Sequence, residues 1–191
     1  FASLYQDSIE VLNIFGSTNL ALQNFKRAIT NFNKAIKLNP NIPTIYYNLG
    51  LAYHHIGNMD DAIVSYKKAI DIKPDYDEAL NNIGMSLEEK GDIIGAIDKY
   101  NKVLAINPKH AGAYYNLGNI FCSQNNLILA IRNYNSAINI KPDYATNAAR
   151  AHQGPRVRIA RKACASLRAG FSALVSHAGK DPPSSAYGPP F

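Results

Sequence analysis

Residues 43–76 read PTIYYNLGLAYHHIGNMDDAIVSYKKAIDIKPDY, and this 34-residue stretch decides the fold. It contains two runs in which apolar residues recur every three to four positions, the spacing of a helix with one buried side. Gly57 and Asn58 separate the runs, and these residue types end one helix and cap the next. The stretch therefore predicts two amphipathic helices, A and B, joined by a tight turn. The apolar positions are Tyr46, Leu49 and Tyr53 in helix A, then Ala62, Ile63, Tyr66, Ala69 and Ile70 in helix B.

The same pattern recurs along most of the chain at an interval of 34 residues. Prolines mark the interval at Pro40, Pro74, Pro108 and Pro142. Position 8 of each unit is a glycine: Gly16, Gly50, Gly84 and Gly118. Position 20 is always Ala, and position 24 is always aromatic: Phe32, Tyr66, Tyr100 and Tyr134. Small residues are expected where two helices cross closely. The chain is thus predicted to contain four helical hairpins: residues 9–42, 43–76, 77–110 and 111–144.

Turn and cap residues recur at the same interval. Position 15 carries residues that tolerate the left-handed conformation at the end of helix A: Gly57, Gly91 and Asn125. Position 16 carries residues suited to cap helix B: Asn24, Asn58, Asp92 and Asn126. In the third unit, Asp75 and Glu78 are predicted to form a capping box at the start of helix A.

This pattern closely resembles the tetratricopeptide repeat family, over residues 9–144. The resemblance implies an all-α fold, a right-handed α-solenoid of four helix-turn-helix units in which helix A lines a concave groove. One departure is Asn19 at position 11, where the family prefers a large residue, so the first unit is expected to pack loosely. Residues 1–8 are interpreted as a lead-in, the end of a preceding repeat.

The resemblance also implies that positions 2, 5, 6, 9, 12 and 13 face the groove. Position 6 is asparagine in three units, and Asn48, Asn82 and Asn116 form a ladder. A primary amide both donates to and accepts from a peptide backbone, and a similar ladder lines the repeats of O-GlcNAc transferase-like proteins. The ladder is interpreted as a site for an extended peptide. Asparagine is abundant, with 20 among the first 144 residues, so a purely compositional origin stays open.

The other groove positions are predicted to contact the peptide as well. Tyrosine offers apolar area and a polar tip, so Tyr47 and Tyr115 are predicted to grip peptide side chains. Packing beneath the neighbouring helix is the alternative for both. The remaining predicted contact residues are Asn81 at position 5, Leu51, Met85 and Asn119 at position 9, and His54, His55, Glu88 and Glu89 at positions 12 and 13.

No catalytic residue, metal site or cofactor is predicted. His54 and His55 are adjacent on a helix and point about 100° apart, so they do not converge on one ion. Cys122 is interpreted as a small groove-lining side chain. The chain has no Gly-rich phosphate loop and no catalytic triad on a suitable frame. It is therefore not expected to be an enzyme.

The charges in the groove limit the chemical class of the expected partner. Family members that bind chaperone tails use a carboxylate clamp of Lys, Arg and Asn. No unit has Lys or Arg at the clamp positions, and Glu10 and Glu78 at position 2 would repel a carboxylate. The expected partner is a protein or peptide that is extended and neutral to basic.

The formal net charge of +6 belongs to the end of the chain. Residues 1–144 carry 13 basic and 13 acidic residues, whereas residues 145–191 carry seven basic residues and one acid. Residues 145–179 predict a basic, Ala/Arg-rich helical extension, and residues 180–191 a flexible Pro/Ser-rich end. The extension is interpreted as a cap on the array, a segment that docks on a membrane or acidic partner, or a sequence foreign to the repeats. Nucleic-acid binding is not expected, because clustered cations and stacking aromatics are too few.

The leading interpretation is a non-catalytic protein-interaction module that binds an extended peptide or a partner helix. Two alternatives stay open: the substrate-presenting region of a larger glycosyltransferase-type enzyme, and a scaffold that self-assembles through its solenoid ends or tail helix. No apolar run approaches the roughly 18–20 residues of a membrane span, so no membrane partner is expected. Two cysteines fit a reducing compartment, and a cytoplasmic location is expected.

Overall fold

A computed structural model describes residues 8–141. Within that range the protein has eight α-helices and no strand. The sequence predictions for the lead-in before residue 8 and for residues 145–179 and 180–191 lie outside the described residues. The helices are α1 (Ile9–Ala21), α2 (Phe25–Leu38), α3 (Pro43–His55), α4 (Met59–Ile72), α5 (Asp77–Glu89), α6 (Ile93–Ile106), α7 (Ala111–Ser123) and α8 (Leu127–Ile140).

The helices alternate between an A type of 13 residues and a B type of 14 residues. The odd-numbered helices are the A helices and the even-numbered helices are the B helices. Each helix packs on its neighbours in sequence, and the A helices of adjoining units also contact each other. This arrangement is an α-solenoid, which confirms the fold class predicted from the 34-residue period.

Turn chemistry explains where the A helices end. Gly57, Gly91 and Asn125 all have positive φ values, of 80°, 85° and 59°, as their residue types predicted. Gln23 takes the same conformation in the first unit, with a φ of 60°, although its residue type gave no sign of it. A glutamine pays a steric cost there that glycine avoids.

Caps begin most of the B helices. The side chains of Asn58, Asp92 and Asn126 each accept a hydrogen bond from a backbone N–H three residues later, whereas Asn24 does not. The predicted capping box of Asp75 and Glu78 is wrong. Tyr76 precedes helix α5 without a side-chain cap bond, and Asp77 Oδ1 instead accepts from the Glu78 N–H at 3.0 Å.

The core of each unit is the contact between its glycine at position 8 and its aromatic ring at position 24. A Cβ atom built on Gly50 would lie 2.5 Å from a Tyr66 ring carbon, and one on Gly84 would lie 2.6 Å from Tyr100. The rings of Phe32, Tyr66 and Tyr100 are fully buried. Only glycine lets the aromatic ring of a B helix pass so close to the A-helix backbone.

The first unit leaves apolar side chains exposed where the later units bury them. Phe15 is 47% exposed, whereas Leu49, at the same repeat position, is 5% exposed. Ile14 is also exposed, at the position that holds asparagine in the other units. These side chains form an apolar end face on α1.

Candidate functional site

The A helices of adjoining units are joined by side-chain hydrogen bonds from position 6 to position 5. Asn82 Nδ2 donates to Tyr47 Oη at 3.2 Å. Asn116 Nδ2 donates to Asn81 Oδ1 at 3.3 Å. Both bonds span 35 residues, so they repeat the same contact one unit further along. Two members of the asparagine ladder thus connect neighbouring units, and we call the surface made by positions 5, 6, 9, 12 and 13 of the A helices the A-helix groove.

The first junction lacks this bond. Asn48 has no side-chain hydrogen bond to another described residue, and the Oδ1 atom of Asn13, its counterpart at position 5, is buried without a hydrogen-bond partner. A primary amide has two N–H donors and an oxygen acceptor. In Asn82 and Asn116, the inter-unit bond uses one of the two N–H donors.

The predicted contact tyrosines pack partly beneath the groove. Tyr47 is half-buried, with its ring stacked on Tyr76 at a centroid distance of 5.1 Å. Burial raises the pKa of its hydroxyl, and the Asn82 bond opposes that shift. Tyr115 lies against Tyr134 at 5.8 Å, much as Tyr47 lies against Tyr66 at 5.9 Å. Each ring therefore combines a packing contact with a position on the groove.

The hydroxyl groups of the core tyrosines reach the groove from beneath. Tyr100 Oη donates to Glu88 Oε2 at 3.2 Å, and Tyr134 Oη donates to Asn119 Oδ1 at 3.0 Å. Both acceptors are predicted contact residues at positions 12 and 9. Sequence reasoning assigned these tyrosines to the core alone. The use of tyrosine where the first unit has Phe32 was the signal that the ring ends at a polar surface.

The second unit lacks such a hydrogen bond from its core tyrosine to a groove residue. The ring of Tyr66 is fully buried, and its hydroxyl has no hydrogen-bond partner of normal geometry. Position 9 of this unit is Leu51, which cannot accept a hydrogen bond, and position 12 is His54. Burial raises the pKa of Tyr66, while the nearby amide of Asn82 lowers it in part.

A pair of glutamates, Glu88 and Glu89, ends helix α5. Glu88 is half-buried, and burial raises its pKa, with a further contribution from the charge of Glu89. Glu89 is exposed, and its Oε1 atom lies 3.1 Å from His54 Nε2. That His54 nitrogen is buried and makes no well-oriented hydrogen bond, so the contact is an ion pair only when the imidazole is protonated.

His55 points away from this cluster. Its ring stacks on Phe25 of the preceding unit at 4.9 Å, and the His54 and His55 rings are perpendicular at 6.2 Å. Over residues 8–141, no group of three His, Cys, Asp or Glu side chains could hold a metal ion.

The floor of the groove is mixed in polarity, and its charge has one sign. Leu51 and Met85 are half-buried, and Asn81 Nδ2 lies 3.6 Å from Met85 Sδ. The four A helices contain no Lys or Arg. They carry five carboxylates: Glu10, Asp77, Glu78, Glu88 and Glu89.

None of the described helices is long and apolar enough to cross a membrane.

Comparison with models of known protein families agrees with the helical repeats described above. One TPR repeat model matches residues 16–57 and 86–121, and models described as tetratricopeptide repeat match residues 43–76 and 111–144. The chain belongs to the tetratricopeptide repeat family. The matching models indicate no enzyme family. A search of curated proteins found no match.

Solved structures of other repeat proteins share the fold. A crystal structure of MamA is 24% identical with a TM-score of 0.68, and the match covers 75% of this chain and 84% of that chain. YrrB, described as a TPR protein with an unusual peptide-binding site, is 22% identical with a TM-score of 0.64, covering 84% and 77%. The first TPR of Spaghetti (RPAP3), bound to the HSP90 peptide SRMEEVD, is 20% identical with a TM-score of 0.59, covering 61% and 93%.

Proposed function

We propose that the protein is a non-catalytic interaction module whose A-helix groove binds an extended peptide. The observation that carries this proposal is the asparagine ladder. Asn82 and Asn116 are oriented by equivalent bonds to the preceding unit, at 3.2 Å and 3.3 Å. Groups oriented before binding lose little conformational freedom when a ligand arrives. Each amide keeps donor and acceptor capacity for a peptide backbone.

The partner in this proposal is neutral to basic. YrrB has a peptide-binding site, and the first TPR of RPAP3 is bound to an HSP90 peptide. These two neighbours support a peptide ligand for the shared fold. The HSP90 peptide held by one of them contains two glutamates and an aspartate. An acidic peptide needs cationic partners, and the A helices here contain no Lys or Arg. A different, less acidic ligand suits this groove.

Variants with matched controls test the ladder. The full chain is screened against a displayed library of random peptides, and selected peptides are titrated by fluorescence anisotropy. The test variant replaces Asn48, Asn82 and Asn116 with alanine. The control replaces Asn33, Asn101 and Asn135, three exposed B-helix asparagines that share repeat position 25. We expect the test variant to lose at least about tenfold in affinity and the control to lose none. Equal affinities would refute the ladder mechanism.

The apolar end face supports a second role as a self-assembling scaffold. Ile14 and Phe15 are exposed on α1, whereas the residues equivalent to Phe15 in the later units are buried: Leu49, Ile83 and Leu117. Exposed apolar surface of this kind favours end-to-end stacking. Light scattering of the full chain and of a variant with both residues changed to serine separates these states. An unchanged monomeric mass in both would exclude self-assembly.

The ladder also favours a third role, as the substrate-presenting region of a larger glycosyltransferase-type enzyme. A catalytic domain in the same reading frame would support that role.

A further inference from the structure

We infer that the junction between the second and third units contains a subsite for an arginine side chain of the bound peptide. The subsite consists of Glu89 with Tyr66 and His54 around it. The inference rests on the proposed peptide-binding function and specifies one side chain of the ligand.

The first argument is an unmet hydrogen bond. Tyr66 is 0% exposed, and its hydroxyl has no hydrogen-bond partner of normal geometry, although the amide of Asn82 lies near it. The equivalent hydroxyls of Tyr100 and Tyr134 are both bonded to groove residues. A buried polar group without a partner costs free energy. A ligand that supplies an N–H donor here removes a cost that the unbound protein carries.

The second argument is the arrangement of α3 and α5 around that hydroxyl. Tyr47 and His54 lie two turns apart on one side of α3, and Asn82 and Glu89 lie two turns apart on one side of α5. Contacts join the two stripes at both ends: Asn82 to Tyr47 at 3.2 Å, and Glu89 to His54 at 3.1 Å. The charge of Glu89 adds a small part to the raised pKa of the Tyr66 hydroxyl, after burial, which is the main cause.

The third argument is that Glu89 has a replaceable partner. His54 Nε2 makes no well-oriented hydrogen bond despite its proximity to Glu89. The Glu89 side chain is exposed, so the pair forms the solvent side of the cluster. A ligand cation would displace His54, bind the Glu89 carboxylate and uncover the Tyr66 hydroxyl.

Arginine suits this set better than lysine. The guanidinium is planar, always charged and presents five N–H donors in a fixed fork. It can bond the Glu89 carboxylate and the Tyr66 hydroxyl at once. An ammonium is a compact point charge that is costlier to desolvate.

The test compares capped nine-residue Ser-Ala peptides that carry arginine, lysine or norleucine at the centre, titrated into the full chain by NMR. Norleucine measures binding without a charge on the central side chain. We expect arginine to bind at least about tenfold more tightly than norleucine, with lysine between them. Tyr66→Phe and Glu89→Gln should each reduce the arginine preference to less than about threefold. Asp71→Asn, on a B helix, makes the same charge change and should leave the preference intact.

The outcomes separate this inference from the proposed function. Equal binding of the arginine and norleucine peptides, or an arginine preference that survives both variants, would overturn the subsite and leave the groove proposal standing. Equal binding of lysine and arginine would overturn the guanidinium assignment. No binding of any peptide at millimolar concentration would overturn both. Phe32 occupies the position of Tyr66 in the first unit, so Tyr66→Phe is compatible with the fold.

Discussion

The side-chain amide of Asn82 donates a 3.2 Å hydrogen bond to the hydroxyl of Tyr47, 35 residues earlier. This bond joins two residues that the sequence marked separately as groove contacts, one from the ladder and one from the tyrosines. It fixes the amide and the phenol relative to each other and connects the second unit to the third. Residues facing the groove therefore also contribute to the stacking of the repeats.

We expect this bond to appear as a coupling energy between its two partners. Unfolding of Tyr47→Phe, Asn82→Ala and the double variant should yield a coupling of about 0.5–1.5 kcal/mol. The same cycle between Tyr47 and Asn101, an exposed residue on α6, should give none. Additive effects within error for Tyr47 and Asn82 would show that the hydrogen bond contributes nothing to stacking.

Removing the Tyr66 hydroxyl should not destabilise the fold. Its oxygen is buried without a partner, so Tyr66→Phe should leave the free energy of unfolding unchanged or raise it by up to about 1 kcal/mol. Tyr100→Phe should lower it by about 1 kcal/mol, because Glu88 loses its hydrogen-bond donor. Urea unfolding measures both, and an equal loss in the two variants would contradict the difference drawn between the units.

The crossing glycines should tolerate no side chain. Gly84→Ala places a Cβ atom 2.6 Å from the Tyr100 ring and should cost about 2–3 kcal/mol. Gly91→Ala meets no atom within 4 Å, so only the strain of alanine at a φ of +85° should remain, at about 1 kcal/mol. Thermal unfolding of the two variants measures both losses of stability. A larger loss for Gly91→Ala than for Gly84→Ala would mean that the Tyr100 ring moves aside at little cost.

Glu88→Gln should raise stability near neutral pH. Burial raises the pKa of Glu88 in the folded protein, so its favourable contribution is present below the unfolded pKa near 4.5 and is lost as pH rises through the folded value. The variant removes this loss and still accepts from Tyr100. Its advantage over the parent should grow from pH 4 to pH 7, to roughly 0.5 kcal/mol. A constant difference across that range would contradict a raised pKa.

Most of the fold prediction rested on the 34-residue period. Because each unit repeats one supersecondary structure, Gly50 and Tyr66 are sufficient to imply the helix crossing, and Gly57 the turn. Gln23 and the cap of α5 were missed because local residue preference is weak, and tertiary packing overrides it. Neither error changed the predicted position of a helix.

The groove was less predictable than the fold. Repeat position and the family resemblance predicted that Asn82 and Tyr47 lie on the same surface, but their mutual bond depends on the offset between stacked units, which no single unit encodes. The unmet hydroxyl of Tyr66 was also hidden, because it arises from differences between units. Glu88 and Asn119 accept from the other core tyrosines, whereas Leu51 at position 9 cannot.

The central claim is that the A-helix groove binds peptides through its asparagine ladder. The most direct measurement is the affinity of library-selected peptides for the full chain, for the variant lacking Asn48, Asn82 and Asn116, and for the control lacking Asn33, Asn101 and Asn135. We expect the selected peptides to be rich in arginine, and we expect a loss of at least about tenfold in affinity in the ladder variant and none in the control. Acidic selected peptides, or full affinity without the ladder, would contradict it.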